Sequence, residues 1–189
     1  VKAGFDPIKD FTPVANLIVA PQVFVVRPDL PIKTLPELVS YAKAHPGKLN
    51  YASSGNGSLQ HVTGEMLNRM SGTNIAHVPY KGTGPAITDL LGGNVEMTFT
   101  TAPPLLAHIR SGKLRAIAVT GNVALPSLPN VPTTATIKGY EKLDVSSWFA
   151  VYAPANTPKP IVDKLTGEIK KIMATDAFKN NGVIFLLWD

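Results

Sequence analysis

Apolar residues along the chain fall into short strand-like stretches that alternate with longer stretches of helical spacing. The strand-like stretches lie at 23–26, 49–52, 75–78, 95–99, 114–119 and 146–151, and the helical ones at 34–45, 59–70, 84–91, 103–110 and 161–172. Because strands and helices alternate through the middle of the chain, the pattern predicts an α/β fold with a mainly parallel sheet. Ligands of such sheets bind beyond the carboxyl ends of the strands, which indicates the loops 53–58, 79–84 and 100–102.

The helical stretches carry end signals and apolar faces. Thr34 and Glu37 form a capping box, and Gly72 is placed to end the helix 59–70. The residues expected to face inward are Leu35, Leu38, Val39 and Ala42 on the first helix, Leu59, Val62, Met66, Leu67 and Met70 on the second, and Ile161, Val162, Leu165, Ile169 and Ile172 on the last.

The loop from Ser53 to Ser58 is the most informative part of the chain. It leads from a strand into a helix, so backbone N–H groups at the helix N-terminus lack partners and carry partial positive charge. Gly55 and Gly57 allow a ligand to approach the backbone, and the serines, Ser54 included, add hydroxyls. This predicts a site for a carboxylate or a phosphate. The alternative is that Ser58 only caps the helix and the glycines only form the turn.

Composition is that of an ordinary globular protein, with 44% hydrophobic and 16% charged residues. The formal net charge is +5, but the basic residues are scattered and do not indicate nucleic-acid binding. The absence of cysteine excludes disulfides and thiolate catalysis. Because the chain starts with Val1 in mid-pattern, we expect it to be part of a longer protein. Its last eight residues, 182–189, are apolar and predict either a strand that needs a partner or a sequence foreign to the natural protein.

The remaining candidate residues favour binding over catalysis. None of the four histidines forms a metal-type cluster, so no metal is expected. His61, on the first turn of the helix after the loop, either contacts a ligand or packs against its neighbours. Tyr80 and Lys81 follow a strand and either offer a hydroxyl and a cation to the ligand or are packed and solvated. The chain has no Gly-x-Ser-x-Gly elbow and no evident acid–base partner for a serine nucleophile.

Several segments together resemble one protein family. They are Asp10-Phe-Thr-Pro-Val14, Tyr51-Ala-Ser-Ser-Gly-Asn-Gly-Ser58 with His61, His77-Val-Pro-Tyr-Lys-Gly82, Leu90-Leu-Gly-Gly93, Ser111-Gly-Lys-Leu-Arg-Ala116, Leu128-Pro-Asn-Val-Pro-Thr133 and Ala153-Pro-Ala-Asn-Thr-Pro158. In this order, between about residues 5 and 178, they resemble the substrate-binding proteins of tripartite tricarboxylate transporters, the Bug or TctC family.

The resemblance implies a bilobal, periplasmic-binding-protein-like fold of type II, with the N-terminal part of domain 1 missing. Residues 1–25 and 148–189 would belong to domain 1, and residues 26–147 would form domain 2, the ligand-binding lobe. It also implies a periplasmic receptor, not an enzyme, that closes on a small organic carboxylate and passes it to membrane permease subunits without any cofactor. Missing strands would leave open sheet edges, which favours strand exchange or a dimer.

Ten residues would bind the ligand if the resemblance holds at the site. Ser54, Gly55, Asn56, Gly57 and Ser58 would bind the carboxylate, His61, Tyr80 and Lys81 would line the wall, and Thr100 and Thr101 would offer hydroxyls from the next loop. Family members often have an acidic residue after the strand that corresponds to 95–99. The two threonines found here instead favour a plain carboxylate over a ligand with an amino group.

Two other classes of function stay open at this point. An effector-sensing domain of a transcription regulator can share the bilobal α/β architecture, and a DNA-binding helix-turn-helix upstream in the gene would favour it. A small α/β enzyme acting on an anionic substrate is the second alternative, and turnover of a bound ligand would support it.

Overall fold

A computed structural model of the chain describes residues 4–179. These residues form two compact units, one made of residues 21–147 and the other of residues 4–20 together with 148–179. The apolar stretch 182–189 lies outside the described residues. The assignment of the two units to the domains of a receptor stays a prediction.

The described residues alternate between strands and helices, as the hydrophobic pattern predicts. The elements are β1 (Phe11–Val26), α1 (Leu35–Ala44), β2 (Asn50–Ser53), α2 (Leu59–Ser71), β3 (Ala76–Pro79), α3 (Thr83–Gly92), β4 (Met97–Thr101), α4 (Leu106–Arg110), β5 (Arg115–Val119), a 3-10 turn (Thr134–Thr136), β6 (Ser146–Pro154), α5 (Lys159–Met173) and α6 (Asp176–Lys179). In this part of the chain, no helix is both long and apolar enough to cross a membrane.

The sheet has the strand order β3-β2-β4-β1-β5, and β6 pairs with β1. β2 runs parallel to both β3 and β4, which confirms the predicted α/β class. β1 departs from the predicted parallel arrangement, because it lies antiparallel between β4 and β5. Its register places Gln22 opposite Thr101 and Phe24 opposite Phe99. Side chains alternate between the two faces of a strand, so these four residues share one face of the sheet.

That face carries the main core of residues 21–147. Leu35, Leu38 and Val39 of α1 are buried in it, as predicted, and Ala42 is partly buried. Phe24, Phe99 and Tyr51 form the aromatic part of the same core, with the rings of Phe24 and Phe99 centred 4.5 Å apart.

The predicted inner face of α2 is partly wrong. Leu67 is buried, but Val62 is 44% exposed and Met70 is also exposed. Thr63 and Gly64 are buried in their place. The reason is the ring of Tyr51: a Cβ atom at Gly64 would lie 2.2 Å from its Cζ, so the helix contacts the sheet through its smallest residue.

The predicted inner face of α5 is also only half correct. Ile161, Leu165 and Ile172 are exposed in the described part of the chain. The helix instead turns the side that contains Thr166 and Met173 inward, and the Thr166 hydroxyl donates to the Val14 carbonyl at 2.8 Å. The apolar residues of α5 span more of the helix circumference than this contact covers.

Candidate functional site

The loop 54–58 lies at the carboxyl end of β2 and leads directly into α2. Ser58 is the N-cap of α2, and its Oγ accepts a hydrogen bond from the His61 backbone N–H at 3.3 Å. Gly72 ends the helix in the left-handed conformation, as predicted. Ser58 therefore caps the helix, as the alternative to ligand binding held, and whether it also contacts a ligand stays a prediction.

Hydrogen bonds within the loop fix its shape. The Gly55 N–H donates to Ser53 Oγ at 3.1 Å, the Ser58 N–H donates to the Gly55 carbonyl at 3.2 Å, and the Gly57 N–H donates to His61 Nδ1 at 3.0 Å. Gly55 and Gly57 have φ angles of 137° and 76°, which other residues rarely adopt. The two glycines are thus needed for the turn itself.

Three backbone donors at this junction stay free. Among the residues that the structure describes, the N–H groups of Asn56, Leu59 and Gln60 have no hydrogen-bond acceptor. They lie at the positive end of a 13-residue helix. Asn56 is exposed, and nothing lies within 4 Å of the space beside Gly57. The arrangement suits an oxygen anion that needs several donors at once.

The segment after β3 packs directly beside this loop. The Tyr80 N–H donates to the Ser53 carbonyl at 3.0 Å, and the Gly82 N–H donates to the Ser54 carbonyl at 3.2 Å. The hydroxyl of Ser54 is used inside the site, because it donates to Gln60 Oε1 at 2.9 Å. The two predicted loops therefore form one continuous surface.

Tyr80 and Lys81 differ in what they can offer. The Tyr80 hydroxyl donates to Asp89 at 2.8 Å, and burial together with this bond raises the Tyr80 pKa to about 12. Tyr80 therefore keeps its proton and presents a ring rather than a free hydroxyl. Lys81 is exposed and makes no ion pair with the described residues, so its charge stays free to attract an anion.

The rings of Tyr51, His77 and His61 form a stack that supports the loop. The His77 ring lies between the rings of Tyr51 and His61, with centroid distances of 5.0 and 3.9 Å. His77 Nε2 lies 2.6 Å from Ser53 Oγ, and the Tyr51 hydroxyl donates to Glu65 at 2.8 Å. Burial, and secondly the neighbouring His61, lowers the His77 pKa.

The stack explains what His61 does and adds Tyr51 and His77, for which the sequence predicted no role at the site. His61 Nδ1 accepts from the loop and its ring packs on His77, so His61 is a positioning residue. Tyr51, Ser53 and His77 support the loop in the same way. The alternation along β2 and its neighbour β3 could have indicated them, because residues 51, 53 and 77 are expected on one face of two adjacent parallel strands.

The prediction that Thr100 and Thr101 lie in a loop is wrong, because β4 extends to Thr101. Thr101 pairs with Gln22, lies on the face that α2 covers, and is partly exposed. Thr100 pairs with Val23, points to the other face, and is only 5% exposed. Of the two threonines, only Thr101 lies on the face of the sheet that α2 covers.

Other sites in the described residues are less suited to a ligand. No group of three or more histidine, aspartate or glutamate side chains in residues 4–179 is placed to hold a metal ion. A pocket of about 510 Å³ contains Arg27 and Lys113. Arg27 is bound by Asp29 and lies 3.8 Å from Glu96, and hydrogen bonding to Asp29 raises the Arg27 pKa. These carboxylates offset most of the positive charge there.

Comparison with known proteins gives consistent matches along the chain. Residues 1–183 match the family model described as "Tripartite tricarboxylate transporter family receptor". Protein BugT of Bordetella pertussis is 38% identical over 170 residues, which cover 90% of this chain and 52% of BugT. The chain thus spans about half the length of this curated relative.

Two solved structures show a similar fold with a bound dicarboxylate. R. palustris Rpa4515 with adipate is 34% identical, with a TM-score of 0.84 over 95% of this chain and 61% of that chain. MatC from Rhodopseudomonas palustris with bound malate is 32% identical, with a TM-score of 0.82 over 97% of this chain and 64% of that chain. The predicted periplasmic-binding-protein-like fold is confirmed by these likenesses.

Proposed function

Because the chain belongs to the receptor family of tripartite tricarboxylate transporters, we propose that it binds a small organic carboxylate. The adipate and malate in the similar structures support a dicarboxylate as the ligand class. The receptor would work in the periplasm and deliver this ligand to the permease subunits of its transporter. It would bind the ligand without converting it, since the family and the similar structures consist of binding proteins.

The observation that carries this proposal is the set of free donors at the start of α2. The N–H groups of Asn56, Leu59 and Gln60 have no acceptor in the described residues. A carboxylate has two oxygens and accepts several hydrogen bonds at once, and its charge is stabilised by the helix N-terminus. Charge-assisted bonds of this kind are about twice as strong as those to a neutral oxygen.

The predicted site residues take different roles in this proposal. The backbone of the loop 54–58 would bind the carboxylate, and Ser58 and His61 would hold the loop in shape. Thr101 would offer a hydroxyl from β4, and Lys81 would attract the anion from outside. Tyr80 would contribute its ring to the wall. Thr100 is left out, because its side chain faces away.

Asn56→Asp tests the proposal with little structural disturbance. The Asn56 side chain is exposed and makes no hydrogen bond with the described residues, so the change adds only a negative charge beside the free donors. We expect its affinity for adipate or malate, measured by isothermal titration calorimetry, to fall about tenfold or more through charge repulsion. Asn74→Asp is the matched control, because Asn74 is exposed and precedes β3 at the opposite end of the sheet.

Three outcomes would contradict the binding of a dicarboxylate at this site. The first is that the unmodified chain binds neither dicarboxylate, and the second is that it binds inorganic phosphate more tightly than both. The third is an equal effect of Asn56→Asp and Asn74→Asp on affinity, since a charge at any distance would then act alike. Turnover of the bound dicarboxylate would contradict the non-catalytic role in particular.

The two alternative classes have no observation of their own in their favour. The effector domain of a transcription regulator and the small anion-processing enzyme both rest on shared architecture alone. Dimerisation through open sheet edges likewise stays a prediction, and it is checked by sedimentation of the purified chain.

A further inference from the structure

Gln22 is a buried polar residue that the sequence did not single out. It lies on β1 directly opposite Thr101 and is only 1% exposed. By strand alternation it shares a face with Phe24 and Phe99, the face that α2 covers. An amide at such a position needs hydrogen-bond partners, because burying an unpaired polar group costs free energy.

The carbonyl end of the Gln22 amide is held by α2. Thr63 Oγ1 lies 3.0 Å from Gln22 Oε1 and 2.8 Å from the Leu59 carbonyl oxygen, so its hydrogen is shared between two acceptors. The backbone of Gln22 is fixed as well, since its N–H donates to Thr120 Oγ1 at 2.8 Å. The Thr120 hydroxyl in turn donates to the Val145 carbonyl at 2.6 Å. Both ends of the residue are thus positioned by neighbouring elements.

The nitrogen end of the amide has no such partner. Among the described residues, Gln22 Nε2 has no hydrogen-bond acceptor, and it is not one of the fully buried atoms that lack a partner. Through Thr63 the amide is joined to Leu59, the first residue of α2, whose own N–H is free. Two unpaired donors, one from β1 and one from the helix N-terminus, therefore belong to the same hydrogen-bonded group of residues.

We propose that Gln22 donates an N–H bond to the ligand carboxylate and is a specificity-determining residue of the site. This inference rests on the function proposed above. An oxygen of the carboxylate would be the acceptor that the buried amide lacks. With Oε1 placed against Thr63 Oγ1, the amide presents Nε2 as its free donor, and the position selects a ligand group that accepts hydrogen bonds over one that donates them.

Gln22→Glu tests this by replacing the donor with an acceptor of the same shape. We expect the affinity for adipate to fall about tenfold or more, because the new carboxylate repels that of the ligand. The affinity for the monoamide of adipate should fall less, since the amide N–H groups of this ligand can donate to the glutamate. The ratio of the two affinities, from isothermal titration calorimetry, therefore shifts toward the monoamide.

Gln22→Met supplies a second, uncharged variant that removes the donor and keeps the length of the side chain. It should lower the affinity for adipate about five- to tenfold. Circular dichroism and the melting temperature report whether the variant keeps its fold. The inference is overturned if both Gln22 variants bind adipate like the unmodified chain, or if Gln22→Glu weakens adipate and the monoamide by the same factor.

The failure of this inference is distinguishable from that of the proposed function. If Asn56→Asp lowers the affinity for adipate while both Gln22 variants leave this affinity unchanged, the proposed loop site stands. Only the proposed role of Gln22 is then refuted. If the unmodified chain binds neither adipate nor malate, both proposals fall together.

Discussion

The imidazole rings of His61 and His77 lie face to face, with their centroids 3.9 Å apart and their planes inclined by 8°. Each ring also holds one end of the loop, since His61 Nδ1 accepts from the Gly57 N–H and His77 Nε2 lies 2.6 Å from Ser53 Oγ. The stack therefore ties the first turn of α2, the strand β3 and the loop to each other. The shape of the proposed anion site depends on these two imidazoles.

This pair predicts that stability falls on mild acidification. Burial and the nearby His61 lower the His77 pKa, and the smaller opposing effect comes from Glu65. The unfolded chain takes up a proton near the ordinary histidine pKa of 6.5, whereas the folded chain resists it. The contribution of His77 to the free energy of unfolding is therefore fully present above pH 6.5. It is lost as the pH falls from 6.5 through the lowered pKa of His77 in the folded state.

Thermal unfolding of the unmodified chain and of His77→Gln checks this dependence. The melting temperature of the unmodified chain should drop more steeply below pH 6.5, so the difference between the two proteins narrows on acidification. His45→Gln is the control, because His45 is exposed at the end of α1 and lies outside the stack of His61 and His77. If the melting temperatures of the unmodified chain and of His77→Gln change in parallel with pH, His77 does not cause the loss of stability.

Gly64→Ala should destabilise the fold. The added Cβ would lie 2.2 Å from Tyr51 Cζ and 2.4 Å from Cε2, and Tyr51 is fully buried. Overpacking of this kind costs about 1–3 kcal/mol, which chemical denaturation measures. Gly84→Ala serves as the control, since nothing lies within 4 Å of a Cβ there and the residue is exposed on α3. Equal stability of the two variants would show that α2 does not contact the sheet through Gly64.

Gly57 and Gly47 form a matched pair that separates folding from binding. Their φ angles are 76° and 75°, and a Cβ at either position would meet nothing within 4 Å. Alanine at either position should thus cost about 1–2 kcal/mol of stability, because both need the left-handed region. Only Gly57→Ala should also lower the affinity for adipate, since only Gly57 belongs to the loop 54–58. A comparable loss of affinity in Gly47→Ala would mean that binding merely follows stability.

The strand–loop–helix junction was predictable from sequence because its signals are local. Ser58 caps the helix, and the two loop glycines adopt the φ angles that their placement suggests. The burial of Thr63 instead of Val62 was not predictable, because it depends on where the Tyr51 ring meets α2. Hydrophobic spacing describes one helix at a time and contains no information about its partner.

The long-range contacts of the supporting residues were not predictable for a related reason. His77 meets Ser53 across 24 positions, and Gln22 meets Thr63 across 41. Such pairs form only once neighbouring elements pack together. Alternation along a strand gives the face on which a residue lies but not the residue it meets. Thr101 was misplaced by a shift of two residues at the end of β4, enough to move it from an expected loop into the strand.

The most direct test of the central claim is titration of the isotope-labelled chain with malate, followed by the backbone amide signals in the NMR spectrum. We predict saturable shifts concentrated at Asn56, Leu59 and Gln60, the three free donors at the start of α2. Shifts concentrated instead around Arg27 and Lys113, in the pocket that these two side chains line, would contradict the account.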